Sequence, residues 1–139
     1  MKTKEILKKY FKIAIVGFSD DELRDSHKVA KYMENEGYKV YGVNPKLADK
    51  TIDGIKCYGS LSELPETVDI VNIFRKPCVV FDIVKEVLEL EYTPKVIWTQ
   101  LGIFNEKAKE LTLQEEMEYI ENKCLYIEHR RNGLSKKLF

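Results

Sequence analysis

Short apolar runs that alternate with helix-patterned segments constrain this chain more than any other feature. The first run, Ile13 to Val16, is closed by Gly17 and has no polar residue in alternation, so it reads as a strand buried on both faces. "KVYGV" (39–43), "DIVNIF" (69–74) and "KVIWT" (95–99) are further strands, and "KCY" (56–58) is a short edge strand. "MEYI" (117–120) is a final strand, although helix continuation fits the same residues. Between the strands, Val29, Ala30 and Met33 recur at helical spacing after Ser26, which suits an N-cap, and Gly37 supplies a stop. Pro77 stands at a first helical position, followed by Val80, Ile83, Val84, Val87 and Leu88 on one face. Asn105 caps the next helix, Ser60 with Glu63 forms a capping box, and Lys4 to Tyr10 is a short helix with Ile6 and Leu7 inward. Residues 46–55 are polar and are expected as a loop.

Strands alternating with helices predict an α/β protein: a Rossmann-like, doubly wound, mostly parallel sheet of five or six strands flanked by helices. A length of 139 residues suits one domain, with residues 1–12 as an N-terminal helical extension and 132–139 as a C-terminal tail. The 23 basic and 23 acidic residues cancel, so no bulk attraction to nucleic acid or to a membrane is expected. Any anion site must be local. "MKTKEILKKYFK" lacks the apolar centre of a signal peptide, and no run is long enough to span a bilayer. Cys57, Cys78 and Cys124 are odd in number and far apart, which points to a reducing, cytoplasmic setting.

In the Rossmann order the first and fourth strands are neighbours at the switch point, so "GFSDD" and "FRKP" should face each other across one crevice. Gly17 allows close backbone approach, Ser19 offers a hydroxyl, and the amides near Ser26, His27 and Lys28 suit a phosphate at a helix start. The same loop is crowded with Asp20, Asp21, Glu22 and Asp25 against Arg24, and neither phosphate-binding glycine fingerprint is present. An ordinary strand-to-helix turn accounts for it equally well. Asn44 stands where a dinucleotide-binding unit carries an acid for the ribose diol; followed by Pro45 and Lys46, it suits a phosphorylated ribose better. An Asn-Pro turn with a solvent-facing lysine explains those residues too. Arg75 can pair with phosphate and Lys76 adds a point charge, while Phe74 can pack on an adenine. Cys78, beside these cations, is either a low-pKa thiolate or a small buried apolar residue. His27 and His129 lack metal-ligand spacing, and His129 in "IEHRR" reads as part of a solvated terminal helix. No catalytic residue and no metal ligand is expected.

Taken together, "IAIVGFS", "SHKVAKYM", "GYKVYGVNPK", "KCYGSLSELPE", "VDIVNIFRKP", "VIWTQLGI" and "CLYIEHRR" resemble the small single-domain CoA-binding proteins of the YccU type. That family is similar to the CoA-binding domain of the succinyl-CoA synthetase alpha subunit standing alone. The resemblance runs from about Ile13 to Arg131 and implies a CoA or acyl-CoA ligand in the crevice. It implies that Gly17, Ser19 and Ser26 lie along the pyrophosphate and that Asn44, Pro45 and Lys46 line the nucleotide end. Phe74, Arg75 and Pro77 would form the opposite wall, with Gln100 and Gly102 nearby. Two departures stand out: the first loop is more acidic than is usual there, and Cys78 replaces a polar or acidic residue. The synthetase's phosphohistidine domain has no counterpart in these 139 residues, so ligase activity is not part of the expectation. The leading reading is a non-catalytic CoA or acyl-CoA binding module that senses the nucleotide ligand or presents it to a protein partner. An NAD(P)-dependent oxidoreductase and a protein-interaction module with a degenerate nucleotide site are the alternatives.

Overall fold

In the computed structural model, which describes residues 3–133, the seven strands form one sheet ordered β3-β4-β2-β1-β5-β6-β7. They span Lys12–Val16 (β1), Lys39–Val43 (β2), Thr51–Ile52 (β3), Ile55–Tyr58 (β4), Ile70–Ile73 (β5), Val96–Thr99 (β6) and Glu118–Ile120 (β7). All neighbours are parallel except β3, which runs antiparallel to β4. Without β3 the order is that of a doubly wound Rossmann sheet, as the alternation predicts. "MEYI" does supply a strand, β7, parallel to β6.

The strand count exceeds the expected five or six because residues 46–55 are not a plain loop. Pro45–Leu47 is a 3₁₀ turn, and β3 folds back on β4 through Asp53 and Gly54, at φ +52° and +84°. Two successive positive φ values are the signature of a tight type I′ hairpin, for which Asp-Gly is a favoured pair. The edge of the sheet is therefore β3, and β4 lies one strand in.

Five helices cover the sheet: Thr3–Lys9 (α1), Asp25–Asn35 (α2), Val80–Leu88 (α3), Glu106–Gln114 (α4) and Leu125–Asn132 (α5). One face is covered by α1, α2 and α5 over Ile13, Ile15, Phe18, Met33, Trp98 and Leu125; the other by α3 and α4 over Ala14, Val71, Ile73, Val84 and Ile97. Residues of β1, β5 and β6 alternate between the two clusters, which is why these strands carry apolar side chains at successive positions. Asn105 caps α4 by accepting from the Ala108 amide at 2.9 Å, and Glu63 accepts from the Ser60 amide at 3.2 Å. Gly37, at φ +96°, follows the end of α2. Ile6 and Leu7 are fully buried, so α1 belongs to the core.

Residues 134–139 of the expected C-terminal tail lie outside the described residues; Asn132 closes α5 and Gly133 caps it at φ +63°. His129 corrects the expectation of a solvated terminal helix. It is 2% exposed, its Nδ1 lies 2.7 Å from the Tyr32 hydroxyl, and burial pushes its imidazole pKa down. The three cysteines are free thiols; Cys57 and Cys124 are buried, whereas Cys78 is exposed. Among the described residues no helix is long and apolar enough to cross a membrane.

At the N-terminal edge of the sheet, Glu66 joins two strands whose first residues, Lys12 and Lys39, are paired in register. Its Oε1 lies 2.8 Å from Lys12 Nζ, its Oε2 lies 3.1 Å from Lys39 Nζ, and the Tyr41 hydroxyl donates to the same carboxylate. The Lys12 ammonium, with Tyr41 and Lys39, holds the Glu66 carboxyl down at about 2, against an ordinary value of 4.5. A depressed folded-state pKa gives stability that is present above pH 4.5 and is lost as the pH falls towards 2. Glu66→Gln should therefore lower the melting temperature at pH 7, with the gap to wild type closing between pH 4.5 and pH 2 in a thermal-melt series. A gap that stays constant with pH contradicts this assignment.

Candidate functional site

Where β1 ends, the backbone turns so tightly that only glycine fits. Gly17 has φ +91°, and a Cβ on it would lie 2.8 Å from the Phe74 carbonyl oxygen and 3.0 Å from Arg75 Cδ. The Phe74 amide donates to Val16 O at 2.9 Å, and the Gly17 amide to Val43 O at 2.9 Å. The loops after β1 and β5 therefore do meet at the carboxyl edge of the sheet, with the end of β2 beside them. They enclose a crevice of about 440 Å³ lined by Gly17, Phe18, Ser19, Leu23, Arg24, Asp25, Ser26, Asn44 and Phe74.

The β1–α2 loop is held by its own polar groups. Ser26 Oγ accepts from the Ser19 amide at 3.1 Å, Ser19 Oγ from the Asp21 amide at 3.0 Å, and Asp21 Oδ1 from the Leu23 amide at 2.9 Å. These bonds correct the role expected of Ser26 as N-cap. The cap is Arg24, in extended backbone, and Ser26 lies inside the first turn with its hydroxyl reaching back to the loop. The Arg24 carbonyl takes the amides of both His27 and Lys28, each at 3.1 Å, so those two are spent within the helix. The amides of Asp25 and Ser26, at the first two helical positions, have no intrahelical acceptor and carry the positive end of the helix dipole. Asp20, Asp21, Glu22 and Asp25 are exposed.

Two residues expected at the ligand turn out to hold the walls. His27 is 3% exposed; its Nδ1 donates to the Ser19 carbonyl at 2.8 Å and its Nε2 lies 3.2 Å from Asp53 Oδ2. Its ring stacks on Phe18 at 5.3 Å, so it ties the crevice loop to the β3–β4 hairpin. The Asn44 amide donates to the Phe18 carbonyl at 2.9 Å and its oxygen accepts from the Lys46 amide at 3.0 Å. Asn44 lines the crevice, but its side chain joins the ends of β1 and β2.

Of the expected cations, neither Arg75 nor Lys46 is among the residues that line the crevice. Arg75 is exposed, with its stem against Gly17, and Lys46 is exposed one residue beyond Pro45. Pro77 opens a three-residue 3₁₀ turn, and α3 starts three residues later than its position suggests. Its carbonyl accepts from Asn105 Nδ2 at 2.8 Å, which anchors the β5–α3 loop to the start of α4. Gln100 and Gly102 follow β6 and line no part of this crevice; the Gly102 amide donates to Asn122 Oδ1 at 2.8 Å. Gln100 instead faces a neighbouring groove. Arg24 and Leu23 were not among the expected site residues, yet both line the crevice. The signal for Arg24 was in view, since it is the one cation within the acidic stretch. Among the described residues no group of three His, Cys, Asp or Glu side chains could hold a metal ion.

A family model described as a CoA binding domain matches residues 12–130, and the chain belongs to that family. The uncharacterized protein YneT of Bacillus subtilis is 36% identical over 91% of this chain and 90% of its own length. A hypothetical protein from Pyrococcus horikoshii superposes with a TM-score of 0.87 at 34% identity, covering 95% of this chain and 90% of that one. An ADP-forming acetate–CoA ligase of Methanocaldococcus jannaschii is 28% identical over 83% of this chain, which spans 17% of the ligase.

Because a side chain at Gly17 meets backbone rather than a movable group, Gly17→Ala should destabilise the protein by about 1–3 kcal/mol. Urea unfolding of the variant measures this directly. A variant as stable as wild type would mean that the two loops are not in close contact.

Proposed function

We propose that this protein binds coenzyme A across the carboxyl edge of its sheet and does no covalent chemistry of its own, sensing CoA or presenting it to a protein partner. The observation that carries the reading is the crevice between the β1 and β5 loops, which is lined by Gly17 and by Asp25 and Ser26, the first two residues of α2. Such a corner accepts a pyrophosphate on backbone donors without net positive charge on the whole chain. Arg24 lines it and Arg75 leans over Gly17, each able to pair with phosphate oxygens. Lys46, in the turn after β2, is the proposed partner of the phosphate on the ribose. Membership of the CoA-binding family supports the ligand class. The acetate–CoA ligase relatives match this chain over a small part of their length, so ligase chemistry is theirs and is not carried over.

An oxidoreductase reading is less well supported. No carboxylate stands at the end of β2 to take a ribose diol, and Asn44 already uses its side chain to join two loops. A ligand-free interaction module leaves the free amides of α2 and the cations around them without a purpose.

Isothermal titration calorimetry with CoA, dephospho-CoA, NAD and NADP tests the proposal. CoA should bind most tightly, and Lys46→Ala should weaken CoA about tenfold while leaving dephospho-CoA little changed. A preference for NAD, or no heat with CoA at low ionic strength, overturns it.

A further inference from the structure

On the face covered by α3 and α4, a groove runs between the segment joining β4 to β5 and the C-terminal half of α3. Its two parts hold about 410 Å³ and 170 Å³ and share Leu61, Ser62, Glu89 and Leu90. Its walls lead into the first residues of β5 and β6, so it opens towards the amino edge of the sheet, opposite the crevice. Leu61, Leu64, Leu90 and Tyr92 give it an apolar lining. The walls are set by bonds of their own. The Val68 amide donates to the Tyr92 hydroxyl at 3.1 Å, and the Leu90 amide to Val87 O at 3.2 Å.

The rim is acidic. Glu86, Glu89 and Glu91 are exposed, and no lysine or arginine lines either part of the groove. Glu66, which also borders it, is taken up by Lys12 and Lys39. The other three carboxylates have no cation partner among the described residues. Their position makes this costly. A helix ends with unpaired carbonyls and the negative pole of its dipole, where a cation is favourable and an anion is not. α3 ends at Leu88, so Glu86 lies in its last turn, Glu89 is the C-cap and Glu91 follows two residues later. Lys85 is the one cation of α3. It lies 3.3 Å from Asp82 and 5.0 Å over the Phe81 ring, so it is engaged towards the start of the helix. Three like charges thus stand at the unfavourable pole of a helix around an apolar groove. Departures from local electrostatics of this kind gather at functional surfaces.

We propose that this groove docks a basic, apolar segment of a partner protein. Lysines or arginines of the segment face Glu86, Glu89 and Glu91, and an aliphatic side chain lies between Leu61, Leu64 and Leu90. The occupant supplies the cations that the end of α3 lacks. Nucleic acid and anionic lipid are repelled by the same carboxylates. The inference goes beyond the CoA reading and does not depend on it, and a partner seated here leaves the crevice at the carboxyl edge open.

The test is an NMR titration of the full chain with an acetylated hexapeptide amide of alternating leucine and lysine. The amides of Leu61, Leu64, Leu90 and Tyr92 should shift saturably, with an affinity that falls as salt is raised. The same peptide with glutamate for lysine should give no shift, and alanine for leucine should weaken binding about tenfold. The triple variant Glu86→Gln, Glu89→Gln, Glu91→Gln should also bind about tenfold more weakly, yet melt at a higher temperature than wild type. A melting temperature below wild type shows the carboxylates to be structural and overturns the proposal. Absence of saturable binding, shifts centred elsewhere, or an affinity indifferent to the triple substitution or to the alanine peptide overturns it as well. Shifts of the same amides that follow protein concentration without peptide assign the groove to a contact between copies, and the proposal fails there too.

Discussion

Everything at the carboxyl edge depends on one close approach of backbone to backbone. Gly17 has room for a hydrogen and nothing larger, because the Phe74 carbonyl stands where a Cβ would point. That contact follows from β1 and β5 being adjacent and parallel, which brings the ends of strands more than fifty residues apart in sequence to the same level. The loops that follow must diverge, one towards α2 and the other towards α3, and the divergence leaves the crevice. In a doubly wound sheet such an opening is a consequence of topology rather than of any single side chain. The residues decide only what it can hold.

What it can hold is set by how the loop spends its polar groups. Serines 19 and 26 and Asp21 are engaged with neighbouring amides. Each of these bonds satisfies a donor that would otherwise compete for the ligand or for water, and together they fix the turn before anything binds. Of the acidic residues at odds with a phosphate site, Asp20, Asp21 and Glu22 are the exposed tip of this turn, whereas Asp25 begins α2 and lines the crevice. The donors that remain, at Asp25 and Ser26, belong to the backbone and are indifferent to the side-chain charge of the tip except through space. Arg24, inside the acidic stretch and at the crevice wall, offsets part of that charge where it matters most.

The fold was largely legible because its signals were of the kind that burial enforces. Apolar runs at β1, β5 and β6 had to be covered on both faces, and the glycine and proline stops between them left little choice of topology. The Asp53-Gly54 hairpin was missed because β3 has two residues and no hydrophobic pattern of its own, although the dipeptide was visible as a turn signal. Ser26 was misplaced as a cap for a related reason: its hydroxyl does bind a backbone amide, but in the loop and not in the helix. His129 was read as exposed from its charged neighbours. The helix turns it inward to Tyr32, while Arg130 and Arg131, the next two residues, face out.

The meeting of the β1 and β5 loops was legible in the sequence, and what the polar residues there do was less so. His27 and Asn44 are polar residues at the right ends of the right elements, and a sequence offers no means of telling a wall from a contact there. Their hydrogen bonds make the distinction. His27 links the crevice loop to the hairpin at the sheet edge, and Asn44 links it to the turn after β2, so the loop is held from two sides. A binding loop held in this way loses little freedom when a ligand arrives, and that lowers the entropic cost of association. His27 and Asn44 thus act on the loop that leads into α2, by holding its backbone carbonyls at Ser19 and Phe18. It follows that the identity of this site rests less on which polar residues surround it than on which of their donors are left over.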